Sequence, residues 1–159
     1  MRGEVLICED DFDLAREYKI LCEQSSNAGA VVMFVGLVRD LYSHSNSCSD
    51  NQEKIDYIEL QHYSGMTESL CQKIIDQARV RYQFTSARVI HRVGKLAADE
   101  QIVFVGVVSQ HRQSAFDASQ FIMDYLKTNA TIWKKEVGAR GEHWLGIKDK
   151  DQKAIDRWQ

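Results

Sequence analysis

Apolar residues recur along this chain in two spacings, one near 3.6 residues and one of two, and the blocks alternate. Phe12 to Gln24 carries Leu14, Tyr18, Leu21 and Cys22 at helical spacing, which predicts a short amphipathic helix broken by Asn27 and Gly29. Ala30 to Val38 is an unbroken apolar run rich in β-branched residues, the pattern of a strand covered on both faces, and it stops at Arg39-Asp40. Ile55 to Tyr63 alternates, with Ile58 and Leu60 pointing one way and Tyr57, Glu59 and Gln61 the other. Ser64-Gly65 then turns the chain into a helix from Thr67 to Tyr82, striped by Leu70, Cys71, Ile74, Ile75, Ala78 and Tyr82. Ser86 to Val93 predicts a strand with Ala87, Val89, His91 and Val93 on one face, and Gly94 to Glu100 a connection. Gln101 to Ser109 has the strongest buried-strand pattern, and Ser114 to Thr128 a second long helix with Ala115, Ala118, Ile122 and Tyr125 aligned. A Trp133-Lys134-Lys135-Glu136 block, a glycine-punctuated segment and a charged tail over 146–159, with Trp158 near its end, complete the chain.

Leu41 to Lys54 is polar, rich in Ser and Asn and without apolar period, so it predicts a mobile loop. It is not expected to link two domains, because the strands on either side look like parts of one sheet. Helices and strands are interspersed without the βαβ repeat or Gly-rich turn of a doubly wound nucleotide fold. The fold class is therefore α+β, with one domain spanning 1–159, a length that suits it.

Composition narrows the functions. A formal charge of −3 argues against a nucleic-acid binder with a globally basic face, yet leaves room for a local cationic pocket. No apolar run approaches the ~20 residues of a membrane helix. The acids that follow the first short apolar run are not those of a secretory signal. Cys8, Cys22, Cys48 and Cys71 lie far apart without a CxxC pair, as expected of reduced thiols in a cytoplasmic protein. With no proline in the chain, turns rely on Gly, Asn, Asp and Ser. No metal-ligand spacing, nucleophile elbow or P-loop occurs, so no metal is expected.

The remaining chemistry lies in five cationic or titratable groups. His111-Arg112 falls between a strand and a helix start, where free N–H groups and the helix dipole favour an anion; taken alone, such a pair is more often a solvated strand end. Lys127 and Lys134, seven positions apart, share a face if one helix carries both, and two close ammonium groups depress one pKa. On spacing alone, two surface lysines are the commoner explanation. Arg39 closes the first buried strand; if the buried strands are sheet neighbours, it converges with His111-Arg112 on one edge. His62 and His91 sit in strand patterns as packing or hydrogen-bonding groups, and Trp133 and Phe121 read as core or dimer contacts. These residues leave open an enzyme, a module that binds a phosphorylated metabolite, or a scaffold docking an acidic partner.

Four segments together are more specific: GAVVMFVGLVRD, LQHYSGM, HRVGKL and IVFVGVVSQHRQSAFDASQFIMDYLKTNATIWKKE. From about Gly29 to Trp144 the chain resembles the molybdopterin synthase large (catalytic) subunit family. The resemblance implies an α/β hammerhead-like mixed sheet with packed helices and a small extra β subdomain. It implies a central homodimer with a small ubiquitin-like sulfur carrier at each end, whose C-terminal Gly-Gly bears a thiocarboxylate. Two sulfurs pass to cyclic pyranopterin monophosphate (precursor Z), forming the dithiolene of molybdopterin. The enzyme itself needs no cofactor, since the sulfur arrives on the partner. Lys127 and Lys134 match the family's catalytic lysines, and Arg39, His111 and Arg112 its anion- and pterin-binding groups. Leu37 and Val38 line the pocket mainly by backbone, and Lys135 and Glu136 close one side. Three positions depart from the pattern: Leu37 replaces a common lysine, and Ser64 and Thr131 replace common prolines, which loosens two turns. The Leu41–Lys54 loop is also longer than usual.

Overall fold

The computed structural model describes residues 4–39, 55–129, 131–139, 141–146, 153 and 156–158. Its elements run β1 (Glu4–Cys8), α1 (Leu14–Glu23), β2 (Ala30–Leu37), β3 (Ile55–His62), α2 (Met66–Tyr82), β4 (Ser86–Arg92), β5 (Gly94–Leu96), β6 (Gln101–Ser109), α3 (Arg112–Asn129), β7 (Ile132–Gly138) and β8 (Gly141–Leu145). The Leu41–Lys54 loop and most of the tail lie outside the described residues.

Two sheets organise the chain. The larger is mixed, in the order β1-β4-β6-β2, with β1 and β4 parallel and the other pairs antiparallel. The smaller, β5-β3-β7-β8, is antiparallel throughout. This is the α+β arrangement that the interspersed periods predict, with the extra β layer supplied by the second sheet.

The β4–β6 pair lies at the centre, buried on both faces. Ala87, Val89, Val103, Val105 and Val107 point towards α2 and α3, meeting Cys71, Ile75, Ala118 and Ile122. Ile90, Phe104 and Val108 point to the other face, where Phe12 and Leu21 cover them. Gly106 lets α1 come this close, because a Cβ there would lie 2.4 Å from Leu21 Cδ1. A third cluster, Val38, Ile55, Ile58, Leu60, Val93 and Leu96, joins the end of the larger sheet to the inner face of the smaller.

Several expectations are corrected. β2 and β3 belong to different sheets, because the chain leaves the larger sheet after β2. β2 is an edge strand, so its faces are only partly covered and Met33, Phe34 and Leu37 stay exposed. In α1 the inward stripe is Glu17 and Leu21, while Leu14 and Tyr18 face outwards. The exchange follows from Arg88 on β4, a buried cation that draws the Glu17 carboxylate inwards. β1, a run of five residues between charged ones, escapes the periodicity and is stabilised by pairing with β4. Thr131, expected to loosen its turn, is tied by its hydroxyl 3.0 Å from that of buried Thr67.

Candidate functional site

α3 separates the cationic groups. It begins at Arg112 and ends at Asn129, so Arg112 and Lys127 lie fifteen residues apart on one helix. At 1.5 Å per residue that is about 22 Å. β2 and β6 impose the same separation. They pair antiparallel, Ala30 against Ser109 and Leu37 against Gln101. Arg39, two residues past Leu37, and His111, two past Ser109, therefore lie beyond opposite ends of the paired span, which alone is about 24 Å long at about 3.4 Å per residue. Neighbouring strands do not bring these groups together, because the pairing is antiparallel. No single cleft within one chain gathers all five.

At one end, His111 links β6 to α3. Its N–H donates to Ser109 Oγ at 3.4 Å, and its carbonyl accepts the Ala115 N–H at 3.2 Å, opening the helix. The free N–H groups of that first turn favour an anion. A cleft of about 360 Å³ lies beside it, lined by Arg81, Gln83, Ser109, His111 and Ser114. Arg81 is a cation that the sequence does not single out, because it sits on α2, thirty residues away.

Arg39, Lys127 and Lys134 belong to the other end. The Val38 N–H donates to the Glu100 carbonyl and the Asp99 N–H to the Val38 carbonyl, each at 2.8 Å, which fixes the backbone just before Arg39. Val38 packs in the cluster that Ile132 covers. Lys127 occupies the last turn of α3, where the carbonyl end of the helix favours a cation. Lys134 lies on β7 and not on an extension of α3, so the shared helical face is replaced by a helix end followed by a strand. Opposite Leu60 on β3, Lys134 projects from the inner face of the smaller sheet, and Glu136 on the same face lies 3.6 Å from its Nζ.

Lys135 points the other way. Its ammonium is 3.0 Å from both Glu59 and Glu142 and lies over the Trp144 ring. Glu142 first, then Glu59, holds its pKa above the ordinary lysine value. Leu37 is exposed at the end of β2, with Val38 buried behind it. Among the described residues no group of three His, Cys, Asp or Glu side chains is placed to hold a metal ion. No described helix is long and apolar enough to cross a membrane.

The fold and the distribution of charge define an α+β protein with cationic side chains at each end of one helix. Its relatives are specific. The model of the MoaE protein family matches residues 7–129. A molybdopterin synthase catalytic subunit of Vibrio cholerae is 45% identical over 159 residues, covering all of both chains. The solved molybdopterin biosynthesis MoaE protein of Burkholderia ambifaria has a TM-score of 0.82 at 40% identity, over 98% of this chain and 97% of that one. A chain from the Helicobacter pylori complex of subunits 1 and 2 of molybdopterin-converting factor shares the fold at 19% identity, with a TM-score of 0.70 over 91% of each chain. The chain belongs to the MoaE family.

Proposed function

We propose that this chain is the catalytic subunit of a molybdopterin synthase. In this reading it is a sulfurtransferase that receives sulfur from the thiocarboxylated Gly-Gly tail of a small ubiquitin-like partner. The acceptor is cyclic pyranopterin monophosphate (precursor Z), and the product is the dithiolene of molybdopterin. The observation that carries the reading is the division of the cations in a MoaE-family chain: Arg39, Lys127 and Lys134 at one end of α3, His111 and Arg112 at the other.

Such a division favours a site built by two copies, in which His111 and Arg112 of one protomer complete the end of the other. The apolar edge that Met33, Phe34 and Leu37 leave on β2 supports a second copy there. Precursor Z brings a cyclic phosphate, which the guanidinium forks of Arg39 and Arg112 and the His111 ring suit. Water releases the partner's tail as a carboxylate by cleaving the sulfur–acyl bond, and as sulfur bonds to carbon, the departing oxygen takes up charge or a proton. Lys127 is the group assigned to stabilise it or supply that proton, with Lys134 holding the substrate or the incoming tail. Leu37 and Val38 line the pocket by backbone. Glu136 closes the β7 side beside Lys134, and Lys135, its ammonium engaged by two carboxylates, contributes through its main chain.

Sulfur delivered by the partner leaves no role for a nucleophilic cysteine here. Cys71 fits that economy: burial pushes its thiol up to about 11, within the α2–α3 core. The free thiols of Cys8, Cys22 and Cys71 suit a reducing cytoplasmic setting.

Lys127→Ala is the test. Mixed with thiocarboxylated partner and precursor Z, it should form molybdopterin about 10²–10⁴-fold more slowly while binding the precursor and melting as the parent does. Near-parental turnover would remove Lys127 from the chemistry.

A further inference from the structure

His62, the last residue of β3, lies beside Glu68 in the first turn of α2. In the β3–β7 register His62 faces Ile132 and Leu60 faces Lys134. His62 and Lys134 are therefore diagonal neighbours on one sheet face, about 7–8 Å apart along the backbone and within reach of long side chains.

Among the described residues, several elements supply the groups around His62. From α2, Glu68 places a carboxylate oxygen 3.9 Å from His62 Nε2. Its second oxygen accepts the Gly65 N–H at 2.6 Å, and Gly65 has φ 81°, so the turn into α2 anchors the carboxylate beside the imidazole. From β4, His91 is near enough to feel the His62 charge. Its Nδ1 lies 2.8 Å from the Arg92 carbonyl, and burial pushes its pKa down to about 4, so this second ring is neutral near neutral pH. From β7 come Lys134 and Glu136, and β8 sets His143 opposite Glu136 on the same face. β5 sets Gly94 and Leu96 opposite Leu60 and Ile58 on this face, while Lys95 lies over Tyr57 on the other. Lys127 is the cation at the nearby end of α3.

We propose that His62 is a positioning residue for Lys134: the charge it carries, balanced by the anchored Glu68, sets how readily Lys134 takes up and gives up a proton. Histidine changes charge near neutral pH, and a positive charge at that range disfavours a second one. The coupling is mutual, so Lys134 acts on His62 as strongly as His62 acts on Lys134. Its catalytic consequence rests on the sulfur-transfer reading above; the coupling itself does not.

Two measurements test it. The His62 ring is followed by NMR across the neutral pH range in the whole chain, assigned against His62→Gln. Lys134→Met should move its titration to higher pH and Glu68→Gln to lower pH; a ring indifferent to Lys134→Met overturns the proposal. In reconstituted synthase, His62→Gln should change the ratio of rates at mildly acidic and mildly alkaline pH by roughly three- to tenfold relative to the parent, as expected for a unit charge at this range in a partly solvated site. An unchanged pH profile also overturns it. Should His62→Gln not fold, the Lys134→Met titration decides. Should the parent transfer no sulfur, the functional reading fails, and the same ring titration still decides the coupling.

Discussion

His91 shows what burial does to one ionisable ring. Its pKa is pushed down to about 4, chiefly by burial and in smaller part by His62, with the Arg92 carbonyl working the other way. The ring of an unfolded chain takes its proton near pH 6.5. As the pH falls, the unfolded state is therefore protonated first. The stability that neutral His91 contributes is complete above about 6.5 and is lost as the pH falls towards 4. Urea unfolding over that window should show stability falling by up to about 1.4 kcal/mol per pH unit more in the parent than in His91→Leu, the limit for one proton. Equal slopes would mean that the ring is protonated without penalty in the native state. The sequence places both His62 and His91 on strands as packing groups. It does not say that His62 sits beside Lys134, because that depends on the register between β3 and β7, about seventy residues apart.

Arg88 is where one side chain couples three elements. From β4 it reaches Glu17 on α1 and Glu4 on β1. Burial works to lower its pKa, and the two carboxylates outweigh burial and raise it. Arg88→Ala leaves Glu17 buried without its counter-charge, a change that typically costs about 3–5 kcal/mol. The melting temperature should fall by about 6–20 °C for a chain of this size. Arg88→Met combined with Glu17→Leu should recover much of that loss; a double variant as unstable as Arg88→Ala would show that the shape of the site, not its charge, is limiting. The elements themselves were unevenly legible. α2, α3, β3, β4 and β6 are long enough for their periods to show, and the core positions Cys71, Ile74, Ile75, Ala78, Ala115, Ala118 and Ile122 follow from spacing alone. β1 and β5 are too short to carry a period. β7 begins only three residues after α3 ends, and its paired lysines are compatible with helix, so the change of structure before Lys134 is visible only in three dimensions.

For the whole molecule, the decisive length is that of α3. The family block names Arg39, His111, Arg112, Lys127 and Lys134 together, and the helix expected over Ser114 to Thr128 already implies that Arg112 and Lys127 stand at its two ends, but sequence order cannot show which end Arg39 and Lys134 join. If two protomers build each site, Lys127→Ala and Arg112→Ala lose different halves of it. Refolded together, they should regain about a quarter of parental activity, since half the dimers are mixed and each mixed dimer has one intact site. Activity that stays at the level of either variant alone would rule out the shared site. The placement of the three tryptophans has a practical side as well. Trp133 and Trp144 stand largely open to solvent on the smaller sheet. Trp158 instead packs among Tyr82 and Phe121 and donates its indole N–H to Asp124 at 2.9 Å. Their fluorescence should therefore differ in colour and in access to a quencher such as iodide, so one emission spectrum separates loosening of the helix layer from events on the smaller sheet.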